Sequence, residues 1–295
     1  MGLFTSAKVS YLGVDIGTAS IKVVELKREA NRPSLVTYGY IDIATDIIRS
    51  NTPETRQKIV NSLKKVCSSA RVSTSQAIAA LPTFSIFNSI ITLPKMSSRD
   101  LSSAVKWEAK KYVPLPLEEM ILDWKLLKME GQEIEETAVK AVTPAKPVKR
   151  SFSFPFFGRK SAARKGEAPA VFTGAEKRIP ETLRILVTAA PKNLVNRYIE
   201  VFQQAGLKLI SLETEAFALS RALIGVDKTT VMIVDIGSIT TDLCVIERGV
   251  PILNRSIDVG GLTITQAIAK SLDINLERAE QFKRDFGVSV DEMTN

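Results

Sequence analysis

Apolar and polar positions along the chain change period repeatedly, from strand-like alternation to the three-to-four spacing of a helix. Runs 9–16, 21–28 and 35–43 alternate and predict three strands joined by short turns, a meander. From about residue 53 the period lengthens, and Ile59, Val60, Leu63, Val66 and Cys67 fall on one helical face. "SQAIAALP" (75–82) and "FSIFNSIITLP" (84–94) read as strands. "SRDLSSAVKWEAKKYVPLP" (98–116) reads as a helix closed by Pro114 and Pro116, with Trp107 and Tyr112 as ordinary core residues or, as the lesser reading, as partner-docking residues, and "ILDWKLLK" (121–128) as another strand.

Residues 131–180 lack sustained periodicity, are rich in Pro, Ala, Lys and Ser, and are expected to form a long flexible insertion, about 40 Å across as a coil. Strand 182–190 follows, then an amphipathic helix over 192–205 carrying Leu194, Val195, Tyr198, Ile199 and Phe202, with Gly206 as its stop. A strand (207–213), a short helix (214–225), a second meander beginning near 231, and helices at 263–272 and 276–286 complete the pattern.

The two meanders open alike: "YLGVDIGTASIKVVEL" (11–26) and "VMIVDIGSITTDLCVI" (231–246) are each an apolar strand, an acidic turn and a second apolar strand. This predicts a duplicated α/β unit, with a block at about 83–189 spliced into the first copy. The expected organisation is a first lobe from 1–82 and 190–228, an inserted subdomain at 83–189, and a second lobe from 229 to 295.

A tight turn at Gly17 or Gly237 presents successive backbone N–H groups as a nest for phosphate oxygens. Two such nests across a cleft predict a clasp for a polyphosphate. Asp15 and Asp235, at strand ends, are placed to hold Mg²⁺ through its waters. Thr18, Ser20, Ser238 and Thr240 supply hydroxyls, and Lys22 a charge for the terminal phosphates. Ile239, a β-branched residue inside the second turn, is expected to narrow the backbone angles there. The other phosphate-binding signatures, GxxxxGK[ST] and GxGxxG, are absent.

Composition narrows the chemistry. The chain has no histidine and two cysteines without CxxC spacing, which excludes imidazole general bases, zinc sites of the usual kind and a disulfide framework. The net charge of +8 resides in 140–180, where ten Lys or Arg meet two Asp or Glu; the remainder is neutral, and no nucleic-acid groove is called for. Within that segment Phe152, Phe154, Phe156 and Phe157 stand between basic pairs, as a sticky loop against the body or as a clip for an anionic membrane surface or partner groove. No run approaches the roughly 20 apolar residues of a membrane span and no secretory signal opens the chain, so a cytoplasmic location is the expectation.

The paired hairpins resemble the two phosphate motifs of the actin-like ATPase superfamily, which includes actin, Hsp70 and sugar kinases. Asp15, Gly17 and Lys22 match D-x-G-(x)4-K, and Asp235, Gly237, Thr240 and Asp242 match D-x-G-x-x-T-x-D. "LETEAFALSRAL" is similar to the connecting helix, and the resemblance implies Glu215 as the acid near the attacking water. "VGGLTITQAIAKSL" and "AEQFK" resemble the ribose segment, which implies ATP contacts from Gly260, Gly261, Glu280 and Lys283. The run "SRDLSSAVKWEAKKYVPLPLEEMILDWKLL" resembles the PilM family of type IV pilus assembly ATPases, relatives of FtsA.

That family implies an actin-like fold with bound ATP and Mg²⁺. It also implies a place at the inner face of the inner membrane, docked to the cytoplasmic tail of a PilN-like protein. Members continue with further helices and a glycine-rich adenosine motif, so the second lobe, 229–295, is expected to be incomplete. A small-molecule kinase of the same superfamily and a nucleotide-free adaptor are the alternatives; turnover is expected to be slow or nil.

Overall fold

The computed structural model describes residues 9–29, 32–44, 50, 52–127 and 182–287. The insertion of 131–180, with Phe152, Phe154, Phe156 and Phe157, lies outside the described residues.

The large sheet begins with β1 (Ser10–Ile16), β2 (Ser20–Glu29) and β3 (Arg32–Asp42), an antiparallel meander with Asp15 opposite Lys22 and Ile16 opposite Ile21. Two parallel strands then join β1's free edge: β4 (Gln76–Leu81) beside β1, and β8 (Lys208–Thr214) beside β4, giving the order β3-β2-β1-β4-β8. Parallel pairing requires crossovers, and helices supply them. Helix α1 (Pro53–Ser69) starts at a Thr52 cap, with proline in its first turn, where the missing N–H costs nothing. Helix α3 (Lys192–Gln204) precedes β8.

Both helices lie on one face. Leu12, Val14, Ile16, Ile21, Val23, Ala77, Ala79 and Leu81 of the sheet pack there against Ile59, Val60, Leu63, Val66, Tyr198, Val201 and Phe202. The opposite face, at β1–β3, exposes Tyr11, Val24, Leu26, Tyr38 and Tyr40.

Between β4 and α3 the chain builds a second unit with its own core. β5 (Phe87–Pro94) and β6 (Met120–Leu127) flank β7 (Thr182–Pro191) in an antiparallel sheet. Helix α2 (Ser98–Ala109) buries Leu101, Val105 and Ala109 against Ile91, Ile185, Val187 and Ala189. The helix stops at Ala109, short of Pro114: Lys111 and Tyr112 N–H bond to Glu108 and Ala109 carbonyls three back, a tightened turn ahead of the proline. Trp107 and Tyr112 are 73% and 50% exposed, so the core role expected for them is wrong. Helical periodicity marks a face; it does not say that a large aromatic must lie on it.

After β8 comes α4 (Glu215–Leu219), continued by a π turn at Ser220–Ile224, and then the second meander: β9 (Val231–Ile236), β10 (Thr241–Glu247) and β11 (Val250–Ile257). Helices α5 (Gly261–Leu272) and α6 (Leu276–Phe286) follow. Cys244 and Ile246 pack on Ala216 of α4. Met232, Val234 and Ile236, the counterparts of buried Leu12, Val14 and Ile16, are 60%, 50% and 66% exposed.

One charge lies inside the large unit. Glu25 of β2 is fully buried and accepts the Ser73 N–H (2.7 Å) and hydroxyl (2.5 Å). Burial pushes its carboxyl up, but the Ser73 bonds and one from Ser10 outweigh it and hold the group ionised. Glu25→Ala leaves Ser73 without an acceptor and is expected to lower stability by about 2–3 kcal/mol. An unfolding midpoint in urea that matches wild type removes this anchor role.

Candidate functional site

Strands β1, β4 and β8 run parallel, so their carboxyl ends open on one edge of the sheet, where ligands of such sheets bind. β1 ends in Asp15 and Gly17. β4 ends in Leu81, whose partner on β8 is Thr214, so that Thr83 and Glu215 leave the ends of adjacent strands. The Thr83 N–H (2.8 Å) and hydroxyl (3.0 Å) both donate to Oε2 of Glu215.

Glu215 opens α4, whose preceding Thr214 caps the Phe217 N–H. Burial pushes its carboxyl up to about 7; the Thr83 bonds oppose this, while Asp15 on one side and Asp242 on the other add to it. Tyr198 lies near the same charges, and its buried phenol is raised far enough to stay protonated.

The two turns close alike. Gly17 N–H donates to Ser20 O (2.9 Å) and Gly237 N–H to Thr240 O (2.8 Å). Neither glycine has a positive φ, and neither does Ile239, so the narrowing expected from its branched side chain strains nothing. Space decides instead: a Cβ at Gly17 meets Ser20 O at 3.2 Å, and one at Gly237 meets Thr240 O at 2.9 Å. Thr18, Ser20 and Ser238 are half-buried at the turns, Asp235 is exposed, and Thr240 is buried beneath its turn at 5% exposure.

The hairpins differ in charge. Lys22 stands opposite Asp15 and pairs with it at 2.9 Å. At the same register of the second hairpin Asp242 stands opposite Asp235. Burial raises the Asp242 carboxyl; Ser256 lowers it and the Asp235 charge raises it again. Charge thus couples the acids of the two hairpins through Glu215: Asp15 and Asp242 each raise it, and Asp235 raises Asp242. Oxygen donors of this kind suit Mg²⁺. Among the described residues no three acids cluster closely enough to ligate an ion directly.

Gly260 seats α5 on the second turn. Its Cβ position lies 2.7 Å from the Gly237 and Ser238 carbonyl oxygens, which accept the Gly261 (2.9 Å) and Leu262 (2.8 Å) N–H groups. Lys283 donates to Gly261 O (3.0 Å), Thr265 Oγ1 (2.8 Å) and Glu280 Oε2 (2.6 Å). Those three bonds use all three ammonium protons. Glu280 also accepts from Thr265 and Arg284, and Lys283 first, then these two, hold its carboxyl at about 2. The pair expected at a ribose thus clamps α6 to α5. Thr83 was missed by sequence reasoning; its only signal is its place after the β4 proline.

This fold, a β3-β2-β1-β4-β8 sheet and a second meander with the same acidic hairpin, is that of the actin-like ATPases. The family model described as type IV pilus assembly protein PilM matches residues 13–146 and 172–293, and the chain belongs to that family. Among solved structures it is similar to a PilM-PilN type IV pilus biogenesis complex, at 24% identity and a TM-score of 0.69, over 95% of this chain and 70% of that one. It is also similar to the ethanolamine utilization protein EutJ from Carboxydothermus hydrogenoformans (17%, TM-score 0.47, 96% of this chain and 63% of that one). MreB5 of Spiroplasma citri bound to ADP matches at 14%, TM-score 0.46, over 97% and 64% of the respective chains. Among the described residues no helix is long and apolar enough to cross a membrane.

Two outcomes test this geometry. The Glu215 carboxyl is raised on folding, so its contribution to stability is full below about 4.5 and is lost as pH rises through about 7. Glu215→Gln is therefore expected to be near neutral at pH 5 and stabilising by up to ~3 kcal/mol at pH 8.5; equal urea midpoint shifts at both pH values refute the burial. Gly260→Ala forces α5 off the second turn and is expected to cost about 1–3 kcal/mol, read as a lower thermal midpoint.

Proposed function

We propose that this chain is a nucleotide-responsive scaffold of type IV pilus assembly. In this reading the cleft between the two hairpins takes ATP with Mg²⁺, and the protein docks the cytoplasmic tail of a PilN-like inner-membrane protein at the membrane's inner face. The observation that carries the nucleotide reading is the set of four coupled carboxylates, two of them facing each other in the second hairpin and one paired with Lys22 in the first. Asp15 and Asp235 would hold the cation through water, supplying charge neutralisation for the phosphates. The Lys22–Asp15 pair is half exposed on both sides and worth at most about 1 kcal/mol, so Lys22 turns to a phosphate at little cost. The tip amides of Thr18, Ala19, Ser238 and Ile239 have no protein acceptor among the described residues and suit phosphate oxygens.

Glu215 is the candidate base. Half protonated near neutral pH and with both Thr83 bonds on Oε2, it supports slow turnover at most. Glu280 and Lys283 act by fixing α6 beside the cleft and not as free ribose ligands. The PilN-like partner is supported by the family and by the likeness to a complex that contains PilN. Exposed Trp107 and Tyr112 on the inserted unit offer apolar area for it. A membrane contact through Phe152, Phe154, Phe156 and Phe157 belongs to the segment outside the described residues.

Titration of a fluorescent ATP analogue with and without Mg²⁺ tests the cleft. Mg²⁺-dependent binding is expected, weakened at least about tenfold (~1.4 kcal/mol) in Asp235→Ala. Absence of binding to folded wild type leaves a nucleotide-free adaptor. For the partner, a synthetic N-terminal PilN-like tail is expected to bind with an affinity that changes on adding Mg²⁺ and ATP; an unchanged affinity removes the word responsive.

A further inference from the structure

The inserted unit has a core of its own, separate from that of the large sheet. Its entry strand leaves β4 through Pro82 and the 3-10 turn Thr83–Ser85, and that turn is where Glu215 is held. The same turn, and β5 beyond it, pack against β11 of the second meander. A second contact lies two residues from Glu215, where Lys125 of β6 sits over the Phe217 ring at 5.9 Å. So the Glu215 carboxylate, the root of the inserted unit and the second meander come together at one short turn, Thr83–Ser85.

We propose that Thr83 is a positioning residue, a latch on Glu215 through which occupancy of the cleft and the placement of the inserted unit are coupled. The coupling rests on the nucleotide reading of the cleft; the latch itself does not. Two donors from one residue fix both the Glu215 carboxylate and the backbone of the turn. Any shift of Glu215 toward a water or a cation between Asp15 and Asp242 pulls on the Thr83 N–H and hydroxyl. Because β5 starts two residues after the turn and pairs along its whole length with β7, the pull moves the sheet as a body. Ile86, just before the entry strand, and Ala190, near the end of the exit strand, plug the unit into the large core and act as the hinge. A ligand at the exposed α2 surface therefore biases Glu215, and a cleft ligand biases that surface, by the same free energy.

Hydrogen–deuterium exchange on the 295-residue chain tests this, with and without saturating Mg²⁺ and ATP, in wild type, Thr83→Val, Thr83→Ser, Glu215→Ala and the Thr83→Val/Glu215→Ala pair. Without nucleotide, Thr83→Val, which keeps shape and N–H but loses the hydroxyl bond, is expected to speed exchange across 83–94 roughly fivefold. Glu215→Ala is expected to do at least as much, the pair no more than Glu215→Ala, and Thr83→Ser to exchange like wild type. Wild-type exchange in Thr83→Val, or additive effects in the pair, overturns the latch. With nucleotide, protection is expected at both hairpins and at 87–94 and 182–191 in wild type and Thr83→Ser, but at the hairpins alone in Thr83→Val. Protection of the inserted unit in Thr83→Val overturns the coupling. No protection anywhere in wild type rejects the nucleotide reading and the coupling with it, while the nucleotide-free comparison still decides the latch.

Discussion

The arrangement depends on three parallel strands. Because β1, β4 and β8 point the same way, the residues after each strand arrive at one edge of the sheet. There β1 delivers an acidic turn, β4 delivers Thr83 and β8 delivers Glu215, residues separated by up to 200 positions in the chain. The helices that make the crossovers possible also cover one face of the sheet, so the same topology builds the core and places the charges at the sheet's edge, away from it. Without β4 between β1 and β8, Glu215 has no partner and no neighbouring aspartate.

The second hairpin repeats the backbone of the first and inverts its electrostatics. Register places Lys22 against Asp15, and Asp242 against Asp235. A cross-strand pair of opposite charge supports a hairpin, and like charges weaken it. The second hairpin is instead held from outside, by the α5 amides on its turn carbonyls and by Cys244 and Ile246 against α4. Packing supplies what the charge pair withholds.

Much of the fold was legible because strands and helices here follow their periods closely. The doubled V-D-I-G, the paired meanders and the spliced block are all visible as pattern, and the turn glycines are where steric space demands them. The resemblance of the hairpins to phosphate motifs marked Asp15, Asp235 and Lys22. Pairings between distant residues were not legible. Lys283 and Glu280 carry the spacing of a helical ion pair as well as that of a ribose motif, and only the location of Gly261 O and Thr265 shows the clamp. Exposure of Trp107 was invisible for a similar reason: an aromatic on a helix reads as core unless the width of the buried face is known, and here Leu101, Val105 and Ala109 fill it alone.

The protonation of the cleft is set by these same placements. Glu215 is raised first by burial and then by Asp15 and Asp242; Asp242 is raised first by burial and then by Asp235. Each carboxylate makes the next harder to ionise, so the free cleft relieves its charge with protons, and Glu215, at about 7, holds one about half the time near neutrality. In the proposed reading, a cation between the hairpins would lower Glu215 and Asp242 and displace that proton. An ionised Glu215 accepts the two Thr83 hydrogen bonds on Oε2 more strongly than a neutral one. Cation entry would thus tighten the contact at the root of the inserted unit. In this way the charge chemistry of the hairpins, which repeat along the sequence, reaches a subdomain that belongs to only one of the two repeats.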